Sequence, residues 1–293
     1  MPAHSPSTEA TSAQAVLSNP SLISRAAQSA AEQIAQAWPS RPRFGIILGT
    51  GAGQLAGAID REATFPYANF AGFPHSTALG HAGQFVCGQL QGQPVIAMQG
   101  RFHLYEGYRV DQSTLGVQTM AALGIQYLLV SNAAGGINPK FRSGEVMLIT
   151  SHIDLMFRPL PAMETCSSGL RPELRGDAAY DRELITQAEA CARRHHFAVH
   201  RGTYCGLLGP NYETRSEYRF LRRIGGDTVG MSTVPEVRLA ARLGLRVLGL
   251  SVVTNVARPD ALDPTSGQEV IDAAQVASPC LRALFENAVA VNS

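Results

Sequence analysis

Residues 44–53 read Phe44-Gly45-Ile46-Ile47-Leu48-Gly49-Thr50-Gly51-Ala52-Gly53, an unbroken apolar run that ends in alternating glycines. So short and continuous a run predicts a strand covered on both faces, because a half-exposed strand alternates polar and apolar side chains. Glycines directly after a buried strand let backbone N–H groups approach an anion closely, and Thr50 adds a hydroxyl. The loop is not a dinucleotide fingerprint, since Gln54 stands where the third glycine belongs, nor a Walker A loop, which needs Gly-Lys-Ser/Thr. Taken alone it serves equally well as a tight turn.

Outward from this segment, similar apolar runs occur at residues 95–98, 127–130, 146–149, 199–208 and 245–253. Between many of them the period changes to that of a helix. Leu22, Ala26, Ala30, Ile34 and Trp38 recur every fourth residue until Pro39, and helical stretches follow at 111–123, 180–195, 214–224, 234–243 and 266–290. Strands alternating with helices predict an α/β fold, a single domain with a central mixed β-sheet flanked by helices on both faces. That domain spans residues 21–293, behind a Ser-, Ala-, Thr- and Pro-rich tail over 1–20 whose composition predicts disorder. Capping-box patterns at Thr214-x-x-Glu217, Thr233-x-x-Glu236 and Ser266-x-x-Glu269 predict where three helices begin.

Composition narrows the function. With 293 residues, 45% of them hydrophobic and only 16% charged, the chain can bury one large core. The net charge is +1, and no basic run of the kind that neutralises nucleic-acid phosphates occurs in the sequence. No apolar run approaches the roughly 20 residues that span a bilayer, and residues 1–15 lack the features of a signal peptide. The five cysteines, Cys87, Cys166, Cys191, Cys205 and Cys280, are odd in number and form no Cys-x-x-Cys pair. They read as idle thiols in a reducing, cytoplasmic compartment.

The chemistry concentrates in five other segments. In Gly100-Arg101-Phe102-His103-Leu104-Tyr105-Glu106-Gly107, extended chain would put Arg101, His103 and Tyr105 on one face, where a guanidinium fork and an imidazole suit an anion. Asn132-Ala133-Ala134-Gly135-Gly136 leaves an open crevice at the end of a buried strand. Ser232, in Val229-Gly230-Met231-Ser232-Thr233, stands at a helix amino terminus suited to a phosphate oxygen. Glu213 and Asn255, each just past a strand, supply a carboxylate and a carboxamide for the edge of a heterocyclic base, although singly each also fits a cap or turn. Hydrolase chemistry does not fit, for there is no Gly-x-Ser-x-Gly elbow, and the histidines lack metal-ligand spacing.

The order and spacing of these motifs, together with Gly80-His81-Ala82-Gly83 and Gly209–Thr214, resemble those of trimeric purine nucleoside phosphorylases over about residues 22–290. The resemblance implies phosphorolysis of 6-oxopurine nucleosides to free base and (deoxy)ribose 1-phosphate, with inorganic phosphate as co-substrate and neither cofactor nor metal. It implies phosphate held by Thr50, Arg101, His103, Ser232 and the amide of Ala133, with His81 on a flanking loop. Glu213 would face purine N1–H and Asn255 N7, Tyr105 and Met231 would contact the ribose, and Tyr212 would stack on the base. His103, Glu213 and Asn255 would carry the catalysis, and the assembly would be a homotrimer. The alternatives are a 5′-methylthio-purine nucleoside phosphorylase and, from another class, a catalytically silent nucleoside or phosphate binder. Two departures fall at the sugar's 5′ end. Gly267 stands where the family has a histidine, and residues 171–179 lack the aromatic that a neighbouring subunit usually lends. The 5′ pocket is accordingly expected to be roomier or less polar.

Overall fold

Strand β1 (Phe44–Leu48) is buried at every position, as its unbroken apolar run requires. The computed structural model of the chain describes residues 22–78, 80–160, 179–257 and 267–293. After β1 come the strands β2 (Asp60–Pro66), β3 (Gln84–Leu90), β4 (Gln93–Gln99), β5 (Tyr127–Gly136), β6 (Val146–Asp154), β7 (Val199–Gly206), β8 (Thr228–Gly230) and β9 (Arg246–Val256). β1 lies parallel between β4 and β5, and β2 and β3 continue the sheet antiparallel beyond β4. On its other edge β5 runs parallel to β9, which pairs antiparallel with β6. β7 and β8 follow in parallel, and β8 returns to β5 at Gly135 and Gly136. Five strands thus close into a ring, and four extend from it as an open sheet. The fold is the mixed α/β sheet anticipated from the alternation of strands and helices. Ring closure leaves no trace in that alternation, because a buried strand has the same pattern in an open or a closed sheet.

The helices follow the same local logic. Helix α1 (Arg25–Ala37) begins at Ser24, whose hydroxyl accepts from the Ala27 N–H at 3.3 Å, and it buries Ala27, Ala30, Ala31 and Ile34. The stretch 111–123 forms two pieces, α2 (Val110–Ser113) and α3 (Leu115–Ala122), divided at Thr114. Helices α4 (Arg182–Arg194), α5 (Arg215–Arg223) and α6 (Val234–Arg242) lie where the periodicity puts them. The stretch read as a single helix over 266–290 is instead α7 (Gly267–Val276) and α8 (Ser278–Val291). Pro279 at the start of α8 has no N–H to return to the preceding turn, and the helix restarts there. Strands β2 and β3 escaped the reading because β2 is charged and mostly exposed, and β3 holds only three consecutive apolar residues.

The Thr214 capping box forms as written, with Thr214 N–H to Glu217 at 2.7 Å and Glu217 N–H to the Thr214 hydroxyl at 3.3 Å. The Thr233 box does not form. Thr233 makes no side-chain cap, its φ is +71°, and Glu236 turns to Arg101 instead. The Ser266 box, the tail over 1–20, Cys166 and residues 171–178 of the stretch read above for its missing aromatic lie outside the described residues.

Because β1, β4, β5 and β9 are parallel, their carboxyl ends open on one side of the sheet, the place where α/β sheets hold ligands. Gly49 sets how closely the β1 loop approaches β5. A Cβ there would stand 2.5 Å from the Ser131 carbonyl oxygen and 3.0 Å from the Asn132 Cα, both backbone atoms. Gly49→Ala is expected to destabilise the fold by about 1–3 kcal/mol through overpacking. Urea unfolding midpoints check this, and an unchanged midpoint would contradict it.

Candidate active site

The carboxyl ends of β1, β4, β5, β8 and β9 surround one cavity of about 140 Å³. Thr50, Arg101, His103, Tyr105, Ala133, Tyr212, Glu213, Met231, Ser232 and Asn255 all line it. Of the residues singled out in the sequence, His81 alone lies behind the lining, 3.5 Å from the Thr50 hydroxyl and ring-stacked on His103 at 5.3 Å. The site unites segments more than 200 residues apart in the chain, such as the Thr50 loop and Asn255.

At one end Arg101 is 1% exposed, and its charge is matched inside the protein. Its Nη1 donates to Glu236 at 2.9 Å, to the Thr233 hydroxyl at 3.0 Å and to the Ser232 hydroxyl at 3.1 Å, while Nη2 donates to the Ser131 carbonyl. The fork anticipated for an external anion is therefore largely occupied from within the protein, Nη1 by Glu236, Thr233 and Ser232 and Nη2 by the Ser131 carbonyl. What Arg101 offers the cavity is an ordered Ser232 hydroxyl and a shared positive edge. Thr233 Oγ1 also accepts from Asn132 Nδ2 at 3.0 Å, so two donors hold a β-branched residue in a left-handed backbone it otherwise avoids.

The segment after Arg101 is not extended throughout. His103 is extended, but Leu104–Glu106 is a 3-10 turn closed by Gly107 at φ +90°. Glu106 accepts from the backbone N–H of His103 at 2.7 Å and pairs with His103 Nδ1 at 3.0 Å. Turn formation replaces strict alternation, yet His103 and Tyr105 remain neighbours, stacked at 4.7 Å. Burial raises the Glu106 carboxyl, but donations from His103 and Thr77 outweigh it and hold the group at about 2. The ionised Glu106 fixes the proton of His103 on Nδ1, leaving Nε2 for the cavity. Burial, with His103 and Arg101 beside it, lowers His81 to about 3, so this ring is neutral at ordinary pH and brings hydrogen bonds rather than charge.

At the other end Glu213 precedes α5, and its carboxyl is raised by burial, partly offset by its own backbone N–H and by a hydrogen bond from Tyr218. Asn255 enters through a bulge. The β5–β9 register skips Thr254, so Asn255 stands opposite Gly135. The Thr254 hydroxyl lies 3.1 Å from Asn255 Oδ1 and 3.2 Å from the Ala134 carbonyl, and its one proton is shared between them. Met231 and Tyr105 close in over Gly209, where φ is +75° and any Cβ would run into the Met231 sulfur. Tyr212 is half exposed at the mouth.

Three side chains of the site carry no role in the sequence reading. Glu236 reads there as part of a capping box and Glu106 as part of the Arg101 motif, and Tyr218 is not singled out, falling within the helical stretch 214–224. Periodicity reports burial but not which buried group faces a cavity. Among the described residues, no cluster of three His, Cys, Asp or Glu side chains could hold a metal ion, and no helix is long and apolar enough to cross a membrane.

The Phosphorylase superfamily pattern matches residues 43–290. Purine nucleoside phosphorylase 1 of Bacillus subtilis (strain 168) is 46% identical over 245 residues, covering 83% of this chain and 90% of that protein. This chain belongs to the purine nucleoside phosphorylase family of that superfamily. The Mus musculus purine nucleoside phosphorylase is 41% identical over 249 residues, 82% of this chain and 86% of that one. The crystal structure of Schistosoma mansoni purine nucleoside phosphorylase in complex with inosine superposes with a TM-score of 0.83 at 34% identity, covering 92% of this chain and 96% of that one.

Removing Glu236 leaves a buried guanidinium without its counter-charge. Glu236→Ala is expected to destabilise by about 3–5 kcal/mol, whereas the double change Arg101→Met with Glu236→Leu restores most of that loss. Thermal unfolding of the single and double variants measures both effects, and equal losses in the two would refute the coupling.

Proposed function

We propose that this chain phosphorolyses 6-oxopurine nucleosides, releasing the free base and (deoxy)ribose 1-phosphate. The observation that supports it is a single cavity lined by Thr50, Arg101, His103 and Ser232 together with Glu213 and Asn255. Breaking the C1′–N9 bond leaves positive character on the sugar and negative charge on the departing purine. A phosphate oxygen forms the new bond to C1′, and the phosphate's proton ends on the base, so the reaction needs no protein nucleophile. In this reading phosphate occupies the end bounded by Thr50, the Ala133 amide and Ser232, and His103 Nε2, its ring proton held on Nδ1 by Glu106, accepts from the phosphate hydroxyl. Its charge beside C1′ stabilises the oxocarbenium character, and Asn255 Nδ2 donating to N7 stabilises the charge on the leaving base.

Glu213 accepts from N1–H, which selects hypoxanthine and guanine, because a carboxylate repels the lone pair at adenine N1. Tyr105 and Met231 flank the ribose, and Tyr212 covers the base. We extend the proposal to a homotrimer, in keeping with Phe157 and Phe220, large apolar side chains that stand 79% and 52% exposed on this chain.

Incubation with inosine, with and without phosphate, tests the reaction. Release of hypoxanthine and ribose 1-phosphate should depend on phosphate, and release without phosphate would point to hydrolysis. Asn255→Ala should lower kcat by about 10²–10³-fold, the usual loss on removing one donor to a developing charge. A second outcome concerns pH. The Glu213 carboxyl is raised, so its acceptor form is lost at a higher pH than for an ordinary glutamate, about 4.3. The kcat/KM for inosine should carry an acid limb above that value, and Glu213→Gln should lose that component. A limb identical in the variant would assign it elsewhere.

A further inference from the structure

On a 6-oxopurine, N1–H, O6 and N7 follow one another along one edge. If Glu213 meets N1–H and Asn255 meets N7, the group between those side chains faces the 6-substituent. The structure puts the Tyr218 hydroxyl there. It hydrogen-bonds the Glu213 carboxyl. It also borders the same small volume above Gly135 as Asn255, since a Cβ on Gly135 would lie 3.6 Å from Asn255 Oδ1 and 3.9 Å from Tyr218 Oη. Tyr218 lines the cavity, is 5% exposed, and packs in one cluster with Ile137, Cys205, Leu221 and Val229, so its ring has little freedom.

We propose that Tyr218 is a specificity-determining residue that reads the purine 6-substituent, its hydroxyl donating to O6 of the bound base. The proposal rests on the phosphorylase reading of the cavity. In the empty site the phenol proton satisfies Glu213. When a 6-oxopurine enters, rotation about the Cζ–O bond turns that proton to O6, and Glu213 accepts N1–H in its place. Every group that was bonded before binding is bonded after it, with no buried donor or acceptor left over. A 6-amino group reverses the polarity. The phenol must keep its proton on Glu213 and accept from the amine, while N1 offers a lone pair to a carboxylate. The hydroxyl, being donor and acceptor, can serve the amine, so rejection of a 6-aminopurine falls to Glu213 at position 1, while Tyr218 adds its donated bond only where position 6 carries a good acceptor.

The test compares inosine with 6-thioinosine, which keeps N1–H and N7 but carries a poorly accepting sulfur at position 6. Turnover of both nucleosides by the unaltered protein, dependent on phosphate, upholds the underlying reading; its absence would remove that reading and the proposal with it. Tyr218→Phe should then lower kcat/KM for inosine about 10-fold, the scale of one hydrogen bond, and for 6-thioinosine by no more than about 2-fold. The ratio of the two values does not depend on how much variant protein is folded. Equal losses for both substrates would overturn the proposal and reduce Tyr218 to a positioning residue for Glu213. Should the variant turn over neither, calorimetric Kd values for hypoxanthine and 6-mercaptopurine in saturating phosphate decide the matter. Weakening confined to hypoxanthine supports the proposal, and equal weakening overturns it.

Discussion

The buried pair of Arg101 and Glu236 is the constraint on which the site depends. Each charge has been taken out of water, and neither is tolerable there without the other. Their contacts tie the end of β4 to β5 through the Ser131 carbonyl and to the start of α6 through Ser232, Thr233 and Glu236. Three segments distant in sequence are held at hydrogen-bond distances, and the unfavourable Thr233 backbone is sustained by the same contacts. Helix α6 begins where it does because of this knot rather than because of a local cap.

From that fixed end the rest of the cavity follows by covalent reach. β5 passes from Ser131 at the anion end to Gly135 beside Asn255 at the base end, so one strand spans both parts of the site. A small residue is required along this stretch, and Ala133, Ala134, Gly135 and Gly136 supply it. The skipped register at Thr254 then aims Asn255 inward, where regular pairing would have turned it to the opposite face.

Much of this was legible in the chain itself. The Gly49–Gly53 loop, Arg101, His103, Glu213, Ser232 and Asn255 stand out as an ordered set, since each alone also fits an ordinary cap or turn. The strands of the core were readable because burial on both faces imposes an unbroken apolar pattern. Other features were not, for physical reasons. Glu236 satisfies a capping pattern perfectly well, and only the three-dimensional neighbourhood of Arg101 draws it away. Tyr218 sits on a helix face whose periodicity marks it as core. The split between α7 and α8 turns on one proline within an otherwise helical pattern. Closure of the ring depends on Gly135 and Gly136 meeting a strand of only three residues, too short to carry any pattern of its own.

Closing five strands on themselves has a bearing on solubility. A ring has no unpaired rim of backbone amides and carbonyls, so the described sheet has a single free border, along β2. There the chain presents Asp60, Arg61 and Glu62 in succession, all exposed, and finishes at Pro66, which has no amide proton. A second molecule attempting to add its own strand would meet a row of hydrated charges and a missing donor. Among the described residues, a long and strongly apolar sheet is thus carried without an open apolar border that could template fibrous association.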